Sequence, residues 1–126
     1  QWIIDQKRAM AARLSERLAP IPGLTLPKEP KWGGHIYQSY VVLVDQSIDR
    51  DATINNLKAN GVESTFGTYA LHDQPFFQRD YHYKTGQLPN SHVAFTKSIT
   101  LPLYPQLTEQ DLDFIKDALY CSIQYL

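Results

Sequence analysis

An α+β fold, with a small and mostly antiparallel sheet packed against helices, is predicted for this chain by three observations. First, helical and extended patterns follow one another as helix, strand, helix, strand, loop, helix, short strand, helix, an order that suits a layer of helices on a small sheet. Second, the run from His35 to Val44 is rich in β-branched and aromatic residues, and its second half is apolar without alternation, so both faces of that strand are expected to be covered. Third, the chain has 126 residues, of which 43% are hydrophobic and 20% charged, a composition that supports one domain around a modest core.

The elements follow in order. Ile3, Met10, Leu14 and Leu18 recur at helical spacing, with Lys7, Arg13 and Arg17 among the polar positions. Pro20, Pro22 and Gly23 stop that helix, and the segment from Leu24 to Gly34 reads as an extended connector. After the strand at His35–Val44, Asp49 can cap a second helix that turns Ile54 and Leu57 inward. Gly61 stands where a left-handed helix end belongs, with Val62 as the apolar contact back onto the helix. A short strand is expected over Val62 to Phe66. Asn90 or Ser91 can cap a helix that runs through Lys97. Ile99, Leu101 and Leu103 then alternate with Thr100, Pro102 and Tyr104, and Pro102 forbids a central strand there. Thr108 followed by Asp111 is a capping-box variant, Leu107 and Leu112 can form the hydrophobic staple, and Leu112, Ile115, Leu119 and Ile123 make one apolar stripe.

Charge and composition narrow the function. The net charge is −1, which offers no basic surface for nucleic acid or an anionic membrane. No apolar run approaches the ~20 residues that cross a bilayer. Cys121 is alone, so an internal disulfide is excluded and a cytoplasmic location is expected. Gln1-Trp2-Ile3-Ile4 enters the first helical pattern with no capping residue ahead, which suggests a piece of a larger protein that begins partway along a helix.

The search for chemistry centres on Gly61 to Phe77, GVESTFGTYALHDQPFF. Asp73 is its only charged residue beyond Glu63, and it carries Tyr69, His72, Gln74, Phe76 and Phe77. A loop that offers flat apolar faces and a few hydrogen-bonding tips can line a pocket; the same aromatics can also be a small domain's core. His72 can bond a substrate hydroxyl or phosphate, or pin its loop through a backbone carbonyl. Tyr69 can present its hydroxyl to the same cavity or serve as a core aromatic. Histidines at 35, 72, 82 and 92 lack metal-ligand spacing, so no metal is expected. There is no phosphate loop, nucleophile elbow or cysteine–histidine signature.

GLTLP, H-x-x-x-x-Y-V-V, DRD, L-K-A-x-G-V-E, GTYALHxQPFF, LPNS and ITLPLYPQLTEQDLDFI, in this order over Arg8 to Leu119, together resemble the carboxy-terminal part of DegT/DnrJ/StrS-type aminotransferases, which are pyridoxal-phosphate-dependent sugar aminotransferases of the aspartate aminotransferase fold type. The resemblance implies that residues 1–126 are one C-terminal small domain, roughly the last third of such an enzyme, with 1–19 as a linking helix and 35–126 as the α+β core. It implies transfer of an amino group from an amino acid, commonly glutamate, to a keto group on a nucleotide-linked sugar, in a homodimer. It places the cofactor lysine outside this chain, so the fragment alone is expected to be inactive and to hold no pyridoxal phosphate. It implies that Tyr69 and His72 face the sugar nucleotide, although Thr68 stands where the family has a histidine, and that His35 is a further substrate-side candidate, unless it merely bonds backbone at the strand end. Arg50 is expected to fix a helix start. The alternative is a free-standing α+β module that binds a metabolite and regulates a partner. The two readings differ in whether an apolar face is left open, with Trp2, Ile3, Ile4 and the aromatics of 69–83 as its candidates.

Overall fold

A computed structural model describes residues 1–124. Its element order is α1 (Trp2–Leu18), β1 (Leu24–Thr25), β2 (Tyr40–Val44), α2 (Arg50–Ala59), a 3₁₀ turn (Leu71–Asp73), α3 (Pro75–Tyr81), α4 (Pro89–Lys97), β3 (Ser98–Leu101) and α5 (Glu109–Gln124). The three strands form one antiparallel sheet in the order β1-β2-β3, so the fold is α+β as the sequence predicts.

The core lies between one face of this sheet and the helices α1, α2 and α5. The register sets Tyr40 opposite Leu101 and Val42 opposite Ile99, and these four side chains are buried together with Met10, Leu14, Leu18, Leu57, Leu112, Ile115 and Leu119. The apolar stripes of α1 and α5 are thus two sides of one cluster. Tyr40 is fully buried, and its hydroxyl meets Ser15 Oγ at 2.7 Å, which satisfies the polar tip of a core aromatic. Burial pushes its phenol pKa up. Across the surface above this contact, Arg17 bonds Asp113 at 2.7 Å and Glu109 at 2.6 Å, and Arg13 bonds Glu109 at 2.9 Å. These exposed pairs set the alignment of α1 on α5 more than they stabilise it.

Local capping follows the sequence closely. Asp49 Oδ1 accepts from the Ala52 amide at 2.9 Å. Gly61 adopts φ +81°, and Val62 N donates to Leu57 O at 2.9 Å, which closes α2 with a left-handed residue and buries Val62. At α5 the Asp111 amide donates to Thr108 Oγ, and Asp111 Oδ2 accepts from the Thr108 amide at 2.8 Å. The bond from the Thr108 amide, and a second from the Thr108 hydroxyl at 2.7 Å, hold the Asp111 carboxyl below its usual range.

Five elements depart from expectation, the first being α3, a helix over Pro75–Tyr81 in the stretch expected to be loop. The strand expected at His35–Val44 is confined to Tyr40–Val44: Tyr37 takes φ +48°, and its amide donates to His35 Nδ1 at 2.8 Å, a local bond that breaks the pleat. The connector contains the two-residue strand β1. Val62–Phe66 pairs only through the single bridge between Thr65 and Thr100, because Pro102 ends β3 and limits the edge it offers. The helix ending at Lys97 starts at Pro89, with no side-chain cap at Leu88; proline at the first helical position makes a capping side chain at Asn90 or Ser91 unnecessary.

Leu14 and Leu119 are fully buried in the shared cluster. Replacing either by alanine is expected to cost about 2–5 kcal/mol, read as a lowered urea midpoint. Trp32→Ala, at a side chain 90% exposed, is expected to change stability by no more than about 0.5 kcal/mol.

Candidate functional site

The aromatic segment begins where the backbone crosses the outer face of the sheet. A Cβ at Gly67 would lie 2.5 Å from Val41 Cγ1 and 2.9 Å from Ser98 Cβ, so only glycine lets the chain pass this close. The Gly67 amide donates to Ser98 Oγ at 2.9 Å. This crossing fixes Phe66 on one side and Tyr69 on the other.

Arg50 builds the floor beneath them. Its Nη1 donates to Phe95 O at 2.8 Å and Ser98 O at 3.3 Å, and its guanidinium lies 5.8 Å over the Phe66 ring. Phe66 meets Tyr69 edge-on at 4.7 Å and Phe95 at 6.0 Å, and Tyr69 lies 5.8 Å from Phe95. Tyr69 is 58% exposed although its ring touches both Phe66 and Phe95. The Arg50 bond to Asp51 at the start of α2 agrees with a role in fixing that helix; its reach to the α4–β3 junction is not visible in the sequence.

His72 lies in the 3₁₀ turn with its side chain 2% exposed. Its Nε2 stands 3.4 Å from Asp73 Oδ1, and Asp73 Oδ2 is 2.6 Å from Nδ1 of His92 on α4. The hydrogen bond from His92 holds the Asp73 carboxyl below its usual range, helped by both imidazoles and opposed by desolvation. His92 was unassigned in the sequence because its partner is 19 residues away. Beyond the turn, Phe76, Phe77 and Tyr81 of α3 pack on one another at 5.3–5.8 Å, and no residue of α3 is buried. Most of these aromatics therefore form an outward surface.

His35 belongs to a different network. Its ring stacks on Tyr37 at 4.2 Å, its carbonyl accepts from Arg8 at 2.9 Å, and its amide donates to Glu29 at 3.1 Å. These contacts match the backbone-bonding role weighed for it, and none joins it to Tyr69 or His72. A cleft of about 620 Å³ lies elsewhere, lined by Glu63, Thr65, Thr100, Tyr104, Asp111 and Phe114 among others. It holds two carboxylates and no base, and includes none of Tyr69, His72 and His35. A smaller one, about 350 Å³, is bounded by the start of α2 and by Lys97.

The chain has seven lysines. Lys97, the only one in either cleft, donates to Gln46 O at 3.0 Å and Ile48 O at 2.9 Å. Lys7 donates to Gln38 O and Lys116 pairs with Asp117; Lys28, Lys31, Lys58 and Lys84 are exposed. Among the described residues no cluster of histidine, cysteine, aspartate or glutamate could hold a metal, and no helix is long and apolar enough to cross a membrane.

Residues 1–120 match the DegT/DnrJ/EryC1/StrS aminotransferase family. The chain belongs to that family. It is 27% identical over 117 residues to the spore coat polysaccharide biosynthesis protein SpsC of Bacillus subtilis, covering 90% of this chain and 30% of SpsC. An uncharacterized protein of Methanocaldococcus jannaschii is 28% identical over 114 residues, or 87% of this chain and 30% of that protein. The chain thus spans about 30% of the length of the curated relatives it matches. Among solved structures, the aminotransferase TlmJ from Streptoalloteichus hindustanus superposes with a TM-score of 0.78 at 25% identity, covering 98% of this chain and 32% of TlmJ. DesV of S. venezuelae, solved with a ketimine intermediate, gives 0.83 at 21% identity over 98% of this chain and 33% of DesV. The antiparallel α+β arrangement is therefore one found in the solved aminotransferase TlmJ and in DesV.

Two outcomes follow from the geometry. Gly67→Ala is expected to destabilise the chain by about 1–3 kcal/mol through overpacking, and Val41→Ala in the same chain is expected to recover part of the loss, read from paired urea melts. Because the folded Asp73 carboxyl titrates below its unfolded value, its stabilisation is present above the unfolded pKa and is lost as pH falls through the folded one. The stability difference between wild type and Asp73→Asn is expected to narrow over that acid range, measured by thermal melts at stepped pH.

Proposed function

We propose that this chain is the C-terminal small domain of a pyridoxal-phosphate-dependent aminotransferase that moves an amino group from an amino acid, glutamate in the simplest case, to a keto sugar carried on a nucleotide. The observation that carries this reading is the match of residues 1–120 to an aminotransferase family, together with relatives about three times as long. The cofactor supplies the electron sink when bound. In this reading its covalent attachment falls to a lysine in another part of the enzyme, and no lysine lies in the aromatic cluster of Phe66, Tyr69 and Phe95.

The share of the work that falls to this chain is to form a wall. The exposed Tyr69 and the aromatic cluster it packs on suit a sugar ring, which offers apolar faces and hydroxyls. His72, next in the same wall, reaches a ligand only if the turn opens or the ligand presses against it; His35, held by Arg8 and Tyr37, is the weakest of the three substrate-side residues. Exposed Trp2, Ile3, Leu71, Phe76 and Tyr81 supply an apolar surface of the kind that another body of the same enzyme would cover. In that assembly the active site is shared in a homodimer.

The second reading, a free-standing metabolite-binding module, is favoured by one observation: a cleft of about 620 Å³ lies apart from Tyr69, His72 and His35, lined by Glu63, Thr100 and Phe114 among others. Incubation with pyridoxal phosphate separates the proposal from its failure. No stoichiometric lysine-linked absorbance band is expected; a stable one would contradict the assignment of the cofactor lysine to another part of the enzyme. Binding of a hydrophobic dye to the native chain is expected as well, and a chain that binds none while holding a metabolite in the cleft would favour the module.

A further inference from the structure

Three of the five buried side-chain polar atoms described without partners lie in one turn, the other two being the hydroxyls of Ser64 and Ser122. The three are both ring nitrogens of His72 and Oδ1 of Asp73. Leaving such groups unpaired costs about 1–3 kcal/mol each, so their clustering calls for a physical reason. Asp73 Oδ1 and His72 Nε2 stand 3.4 Å apart, an approach too poorly aligned to be a hydrogen bond yet short enough to become one by a small rotation. The other oxygen of the same carboxylate is fully engaged, 2.6 Å from His92 Nδ1.

The surroundings show what this carboxylate does. The 3₁₀ turn is bonded within itself: Asp73 N donates to Ala70 O, Gln74 N to Leu71 O, and Gln74 Nε2 to Ala70 O. The Asp73–His92 contact is the one side-chain hydrogen bond described between this turn and α4. Asp73 is 8% exposed at its side chain and His92 is 36% exposed, so the line from His92 through Asp73 to His72 runs from solvent into the interior. An ionised carboxylate accepts only, so His92 must donate from Nδ1, and His72 can meet Asp73 only as a donor from Nε2.

We propose that His92 and Asp73 are positioning residues that set the proton of His72 on Nε2 and leave its Nδ1 lone pair as the free atom of the turn beside Tyr69. The carboxylate does for His72 what an orienting group does for any imidazole: it chooses the tautomer by taking the hydrogen bond on one side. The functional consequence, a fixed acceptor buried in the turn that meets substrate only when the turn opens, rests on the function proposed above. The proton arrangement itself does not, and can be tested alone.

The test is two-bond proton–nitrogen correlation of the imidazoles in the ¹⁵N-histidine-labelled chain, at a pH where His72 and His92 are neutral. His92 is expected in the Nδ1–H form, the less common tautomer of free histidine, and His72 in the Nε2–H form. Asp73→Asn is expected to shift the ring nitrogens of both, and His92→Gln to shift those of His72, although His92 does not touch it. A tautomer mixture at His92 like that of free histidine, or Nδ1–H at His72, overturns the proposal; so do His72 signals unmoved by Asp73→Asn. If either variant fails to fold, the tautomers of the wild-type chain decide the matter. None of these outcomes depends on whether the full enzyme is an aminotransferase.

Discussion

The guanidinium of Arg50, 10% exposed at its side chain, stands where three parts of the chain meet. It starts α2, caps the carbonyls at the end of α4 and the beginning of β3, and lies against Phe66. Lys97 returns the favour from the other direction, donating to the two carbonyls that precede α2. Together the two cations cross-link the α4–β3 junction to the entry of α2 through backbone carbonyls, three of them part-buried. Without this joint nothing would hold Phe95 under Tyr69, and the aromatic segment would have no floor. Arginine suits the place because its planar fork reaches two acceptors while its face meets a ring.

On that floor the geometry divides the loop into a seated half and a free half. Phe66, Tyr69 and Phe95 are locked by Gly67 and Arg50. Phe76, Phe77 and Tyr81 pack only on one another, on a helix without a buried residue. The first half can hold a side chain at a defined angle, which recognition requires. The second half offers area without a core behind it, which fits a surface completed by something else.

How far the sequence disclosed this depends on the range of each interaction. Asp49, Gly61, Thr108 with Asp111, and the stripes of α1 and α5 announced themselves, because caps and periodicity are written within a few residues. The family resemblance was legible for the same reason: short motifs in order. What stayed hidden was made by contacts between distant segments. The shortening of β2 depends on Tyr37 turning left-handed under His35. The pairing of His92 with Asp73, the reach of Arg50 to Phe95, and the need for glycine at 67 are all set by sheet register, which no local pattern encodes. Helix α3 was read as loop because its stripe is aromatic and outward, so the usual inward periodicity is missing.

Both indole side chains, Trp2 and Trp32, lie in water rather than in the core. The native chain should therefore emit as a solvated fluorophore, and unfolding it should change that emission little; far-ultraviolet dichroism is the better gauge of its folding. The same placement makes the two indoles reporters of contact. Trp2 sits at the first turn of α1, and a shift of its emission to shorter wavelength on mixing would register the arrival of another surface at that end of the helix.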